Sequence, residues 1–189
     1  VASNSSGFAF EREIANSGKL YGMHIYKIPT PRYMEGIYDF LVVWNGVPVA
    51  IECKATRNET SFSFDRVKPW QVEALQKMQE NGGRSYILIN TRRRRIQRAY
   101  ILPITEYIRL RELYASEGRK SIPLEDLKEL PQLNRLNPAG WDIRPLFSEA
   151  GVLIYESIKD TTGDCTSSTS NASRSTKANN NKNPKNKDS

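Results

Sequence analysis

The sequence has one histidine, His24, and two cysteines, Cys53 and Cys165. A single imidazole excludes a His-rich metal cluster and offers no Ser-His-Asp arrangement, and two cysteines cannot build a disulfide framework or a zinc site. One of them lies in a strand-like run and the other in a polar tail, so a disulfide between them is not expected. Long apolar runs are also lacking. No segment reaches the length needed to span a bilayer, and no secretory leader is visible, so the expectation is an intracellular protein without a membrane partner.

Apolar residues are scarce too, at 38% of 189 residues, but the shortage is local. From Asp160 onward the chain reads "DTTGDCTSSTSNASRSTKANNNKNPKNKDS", a Ser/Thr/Asn/Lys composition that buries too little surface to offset the entropy of ordering. The expected organisation is one folded domain over 5–159 and a disordered polar and basic tail over 160–189. The tail holds five basic and three acidic residues, which leaves +5 of the net charge of +7 on the body. A basic body fits a polyanionic partner, most simply nucleic acid.

The periodicity predicts a helix opening at Gly7, with Phe10 and Ile14 on its inner stripe and Gly18 as its stop. A short strand is expected from Met23 to Ile28, ended by Pro29 and Pro31. Two β-rich runs then flank Asn45-Gly46, a dipeptide favoured in two-residue hairpins because both positions accept φ > 0. A helix follows from Pro69 to Asn81, with Val72, Leu75, Met78 and Gln79 inward. "RSYILIN" and "RAYILPI" read as strands joined by a basic connection. Two further helices are expected, at Thr105–Glu117 and in "PLEDLKEL". The order α-β-β-β-α-β-β-α implies an α/β domain with a mixed sheet flanked by helices.

The hairpin carries the chemistry. With Asn45 and Gly46 as the loop, partner numbers sum to 91, so Leu41 faces Ala50 and Asp39 faces Glu52 in "AIECKAT". Directly opposed side chains have Cβ atoms ~5 Å apart. Two carboxylates that close, among Leu, Val and Ala, either share a proton or hold a cation. Lys54 lies on the face of Glu52 but neutralises only part of the pair. Two hard oxygen ligands with open positions suit Mg²⁺, or Mn²⁺ in its place. A lysine beside them is placed to orient an attacking water, which is the constellation of phosphodiester hydrolysis. Glu52 and Lys54 alone would more simply be a surface ion pair of little value. Ile51 and Cys53 on one face, with Ala50 on the other, instead point to a strand covered on both sides.

Asp39 followed by Glu52-Cys53-Lys54 resembles the signature of the PD-(D/E)xK nuclease superfamily. The surrounding pieces "GFAFEREI", "KIPTP", "YDF", "AIECKAT", "WQVEAL", "GGRSYILI" and "AYILP" narrow the likeness to RecU-type Holliday junction resolvases, over about Gly7 to Pro103. The resemblance implies a restriction-endonuclease-like core and a Mg²⁺-dependent DNA endonuclease acting on branched DNA as a homodimer. It implies Asp39 and Glu52 as metal ligands and Lys54 as the residue that activates water. It further implies Glu11 near the metal and Gln71 at the active site, where the family usually has His-Gln and this chain has Trp70-Gln71. Thr56 is a candidate for phosphate or water contact. Those resolvases carry a stalk insertion before the catalytic aspartate, whereas here only "RYMEGIY" separates Pro31 from Asp39. The shortened segment keeps a restriction- or repair-type nuclease as an alternative. A catalytically silent DNA-binding module is the alternative of another class.

The run "TRRRRIQR" places Arg92, Arg93, Arg94 and Arg95 in the expected connection, with Arg98 just beyond. Adjacent guanidinium groups in a loop suit phosphate contact. Lys68, ahead of the Gln71 helix, is expected to extend the same basic surface.

Overall fold

A computed structural model describes residues 4–29, 36–58, 60–93, 96–136 and 140–148. The expected tail, the domain limit near residue 159, Arg94 and Arg95 lie outside these residues.

The chain opens with helix α1 (Asn4–Leu20), whose apolar stripe buries Phe10 and Ile14 completely. Strands β1 (His24–Lys27), β2 (Phe40–Trp44) and β3 (Val47–Thr56) follow, then the short β4 (Ser61–Ser63). Next come α2 (Pro69–Glu80), β5 (Arg84–Arg93), β6 (Ile96–Pro103) and α3 (Ile104–Ser116). The described chain closes with β7 (Ser121–Pro123), α4 (Leu124–Lys128), the two-residue strands β8 (Gln132–Leu133), β9 (Arg135–Leu136) and β10 (Gly140–Trp141), and a 3₁₀ turn at Arg144–Phe147. None of the described helices is long and apolar enough to cross a membrane.

Six strands form the main sheet in the order β1-β2-β3-β5-β6-β8. β3 and β5 run parallel, and every other pairing in the sheet is antiparallel. The sheet is mixed and flanked by helices, as the element order implied. β3 sits near its centre and is buried continuously from Val49 to Cys53. Alternation along β3 divides the core into two layers. Val49, Ile51 and Cys53 pack with Phe10, Ile14 and Trp141 on the α1 side. Ala50 packs with Val72, Leu75, Ile87, Ile89 and Tyr107 on the side of α2 and α3.

The β2–β3 turn forms as expected, with Asn45 at φ 50° and Gly46 at φ 77°. This double left-handed turn matches the natural twist of a hairpin and fixes its register. Leu41 lies opposite Ala50 and Val42 opposite Val49. A second local constraint holds α1 against β1. A Cβ on Gly18 would stand 3.1 Å from the Ile25 side chain, so only glycine permits the observed approach without a shift.

Two expectations are corrected. β5 runs on to Arg93 and β6 begins at Ile96, so Arg92 and Arg93 lie in a strand and not in a connecting loop. Ladder pairing to β6, with Arg92 opposite Gln97, supplies the backbone partners that an isolated basic run lacks. Gln79 was expected on the inner face of α2. It is exposed, and its side-chain oxygen accepts the Ser85 N–H at the head of β5 (3.1 Å).

Candidate active site

Asp39 stands immediately before β2, where the hairpin ladder gives way. Cα pairing reaches Phe40 opposite Ile51 and stops there. The Asp39 N–H donates to the Ile51 carbonyl (3.1 Å), and its carbonyl accepts the Ile28 N–H (2.8 Å). Its side-chain Oδ2 accepts the Cys53 N–H (2.7 Å). The direct Asp39–Glu52 opposition expected from the turn is therefore replaced by a closing contact in which the aspartate side chain bonds to the backbone next to Glu52. The two carboxylates remain electrostatically coupled. Burial pushes the Glu52 carboxyl well above the usual range, and the negative charge of Asp39 pushes it further. Burial also raises Asp39; the Cys53 N–H pulls it back, and the charge of Glu11 raises it again.

Glu52 projects from β3 on the α2 side and is only 2% exposed. Its Oε1 is fully engaged, by Lys54 Nζ at 2.5 Å and by Gln71 Nε2 at 2.8 Å. Its Oε2 is buried without any hydrogen-bond partner. A buried carboxylate oxygen left unsatisfied is costly.

The start of α2 explains how Gln71 reaches this point. Pro69 occupies the first turn, and Gln71, at the third helical position, turns back so that its Oε1 accepts the Lys68 N–H (3.1 Å). That bond satisfies a backbone donor at the helix entrance and locks the amide. The same Oε1 accepts from Lys54 Nζ (3.2 Å), which leaves Nε2 aimed at Glu52. Glu52, Lys54 and Gln71 thus form a closed triangle.

Glu11 lies on α1 with its Oε2 paired to Lys27 Nζ (2.7 Å). It touches neither Glu52 nor Lys54, but its charge is close enough to raise Asp39, and Lys27 acts on Asp39 in the opposite sense. Among the described residues no group of three or more His, Cys, Asp or Glu side chains gathers to hold a metal. The donor set is the carboxylate pair. It fits a hard divalent cation on three counts: both carboxyls offer oxygen, both are pushed towards protonation by burial and then by neighbouring negative charge, and one buried oxygen has no hydrogen-bond partner.

The remaining expected residues are placed as follows. Thr56 is buried, and its hydroxyl accepts the Asn58 N–H (3.0 Å), closing the bend after β3. Arg92 is held by Asn90 Oδ1 (2.7 Å) and lies 3.7 Å from Glu13, with its side chain 19% exposed. It belongs to a network in which Glu13 also takes Arg135 and the Trp141 indole N–H (2.9 Å for each). A structural tie of this kind replaces the free loop guanidinium that the sequence implied. Arg98 and Lys68 are exposed. Arg57 and Lys128 were not singled out by sequence reasoning. They border a concavity with Thr91 and Arg98, and the position of Arg57 directly after "AIECKAT" was the available signal.

An acidic residue at the edge of one strand, with Glu-x-Lys on the adjoining strand of a mixed sheet, is the arrangement of the PD-(D/E)xK nuclease signature. A family model described as Recombination protein U, or RecU, matches residues 34–136. The chain belongs to that family. It is 24% identical over 147 residues to "Holliday junction resolvase RecU" of Staphylococcus epidermidis, covering 65% of this chain and 70% of the relative. The protein of the same name from Latilactobacillus sakei is 27% identical over 142 residues, covering 62% and 67%. Among solved structures, the Archaeoglobus fulgidus Holliday junction resolvase Hjc matches 52% of this chain and 78% of its own. Its TM-score is 0.39 and its identity 20%.

Proposed function

We propose that this protein is a Mg²⁺-dependent endonuclease that cuts four-way DNA junctions inside the cell, acting as a homodimer. The observation that carries the reading is the buried Glu52 carboxylate. One of its oxygens is saturated by Lys54 and Gln71, and the other stands free beside a second carboxylate of raised pKa. RecU family membership supplies the substrate class.

Asp39 and Glu52 would hold the cation, through the free Oε2 of Glu52 and the oxygen of Asp39 not used by Cys53. When bound, the cation supplies Lewis-acid polarisation of the scissile phosphate and lowers the pKa of an attacking water. Lys54 favours the ionised form of the Glu52 carboxylate and, with an N–H left over from its two contacts, would orient the attacking water. Gln71 holds both side chains in that geometry, so little reorganisation remains at the moment of reaction. The water oxygen bonds to phosphorus, the bond from phosphorus to the 3′ oxygen breaks, and the products are a 5′-phosphate and a 3′-hydroxyl. Lys68 and Arg98 contribute phosphate contacts outside the reacting group.

A restriction- or repair-type activity on ordinary duplex is the second reading. The observation in its favour is the seven-residue segment between Pro31 and Asp39, where junction resolvases of this family carry a stalk. Cleavage of a mobile four-way junction beside matched duplex, with Mg²⁺ or EDTA, decides between them, with Lys54→Ala as control. Paired symmetric nicks confined to the junction support the resolvase. Equal cutting of the duplex favours the second reading, and DNA binding without cleavage in either Mg²⁺ or Mn²⁺ rejects both.

A further inference from the structure

Beyond the catalytic triangle, the same face of the sheet carries a second polar concavity. It lies where β3 and β5 end and β6 begins, and it has a volume of about 250 Å³. Arg57, Arg98 and Lys128 border it together with Asn58, Thr91 and Tyr100, and so does Arg92, which Asn90 and Glu13 already hold. No residue lining it is acidic. The side chains of Arg57, Arg98 and Lys128 make no hydrogen bond or ion pair among the described residues, and all three are exposed. Several other cations of the fold are engaged: Lys27 by Glu11, Arg109 by Glu106, Arg135 by Glu13 and Arg144 by Asp142. Three converging cations with no carboxylate among them repel one another unless an anion lies between.

The strand register places this pocket relative to the chemistry. Thr56 lies two residues beyond Lys54 on the same face and pairs with Thr91, which in turn lies opposite Arg98. The step along β3 is about 7 Å and the step across to β5 about 5 Å. DNA carries one phosphate per ~3.4 Å of axis on each strand, so a pocket at this separation lies within a few phosphates of the scissile one.

We infer that Arg57, Arg98 and Lys128 form a phosphate seat that grips the backbone of the cut strand within a few linkages of the scissile bond. The seat sets which phosphodiester enters the Glu52–Lys54 site. This inference rests on the nuclease reading for its purpose but is tested by binding alone. The seat lies at the end of the sheet, with Arg57 directly after β3, Arg98 on β6 and Lys128 at the end of α4.

The test uses the full chain carrying Lys54→Ala, so that DNA is bound without being cut. Affinity for a four-way junction is measured over a salt series, and again with each linkage of one strand made neutral in turn by a methylphosphonate. One neutral linkage near the exchange point is expected to weaken binding about tenfold. Adding Arg57→Ala, Arg98→Ala and Lys128→Ala should abolish that particular sensitivity and lower the slope of log affinity against log salt by about one. The single exposed changes Arg57→Gln and Lys128→Gln, checked by thermal melting, should each remove part of the effect. An unchanged slope together with an unchanged interference profile overturns the inference. So does protection of the pocket by inorganic phosphate with junction binding unaffected, which would mark a site for a small anion. If wild type fails to cut with any metal while the interference profile holds, the seat stands and the nuclease reading falls.

Discussion

At the scale of single residues, the candidate active site is an exercise in incomplete neutralisation. Lys54 meets one oxygen of Glu52 and leaves the other bare, while Asp39 spends one oxygen on the Cys53 N–H. Gln71 is the residue through which Glu52 and Lys54 hold each other in place. Gln71→Ala should therefore lower kcat by 10–100-fold and weaken activation by Mg²⁺, with DNA affinity nearly unchanged. Steady-state kinetics over a Mg²⁺ series checks this, and Gln71→Glu should not rescue it, because a carboxylate there adds repulsion. The raised carboxyls also give the metal-free protein a pH signature. A carboxyl whose folded pKa exceeds its unfolded value holds its proton more tightly when folded, so unfolding releases protons in that window. The contribution of these two groups to stability is then greatest below about pH 4 and falls as pH rises towards neutrality through the folded values of Asp39 and Glu52. The difference in urea midpoint between wild type and Asp39→Asn/Glu52→Gln, followed from pH 4 to 8, isolates this contribution. The variant should become relatively more stable as pH rises, and Mg²⁺ should restore wild type most at the alkaline end.

At the scale of elements, α2 links packing to chemistry. Its inner face seats Leu75 and Val72 against the sheet, and that contact holds its first turn, with Gln71, over Glu52. Leu75 has no exposed surface, so Leu75→Ala should cost about 2–5 kcal/mol, read as a fall in the denaturation midpoint. How much the sequence disclosed follows element by element. The hairpin was legible because Asn45-Gly46 is a local signal with a local consequence, and the register it sets needs no distant contact. The ending of that ladder at Asp39 was not legible. It depends on Ile28 reaching the Asp39 carbonyl and on the aspartate side chain preferring the Cys53 N–H, and both are tertiary choices. The arginine run failed for a similar reason. Four consecutive charges look like a loop, yet Arg92 is a strand residue because Gln97 pairs with its backbone and Glu13 and Asn90 meet its guanidinium. Gln71 was legible only through family resemblance, because nothing local in "WQVEAL" announces that a helix-entry glutamine turns back to a buried glutamate.

At the scale of the whole molecule, the body is a mixed six-stranded sheet with an acidic candidate site on its inner strands and a predominantly positive balance of charge. The excess of cations draws the protein to DNA from a distance and makes affinity fall with salt. The proposed homodimer would place two such sites on opposing strands of one junction. Mixing wild type with an excess of Lys54→Ala before adding junction should then convert paired cuts into single nicks, seen as nicked product on a native gel. A monomeric nuclease would instead lose only the rate in proportion to the wild-type fraction.

The most direct measurement is junction cleavage followed across a Mg²⁺ titration, for wild type and Glu52→Gln side by side. The substitution keeps the size of the side chain and removes its charge. Saturable Mg²⁺-dependent cutting by wild type, with a loss of at least a hundredfold in Glu52→Gln while junction binding persists, is the predicted result. Equal cutting by the two proteins, or cutting by wild type that survives EDTA, would contradict the assignment of Asp39, Glu52 and Lys54 as a metal-dependent nuclease centre.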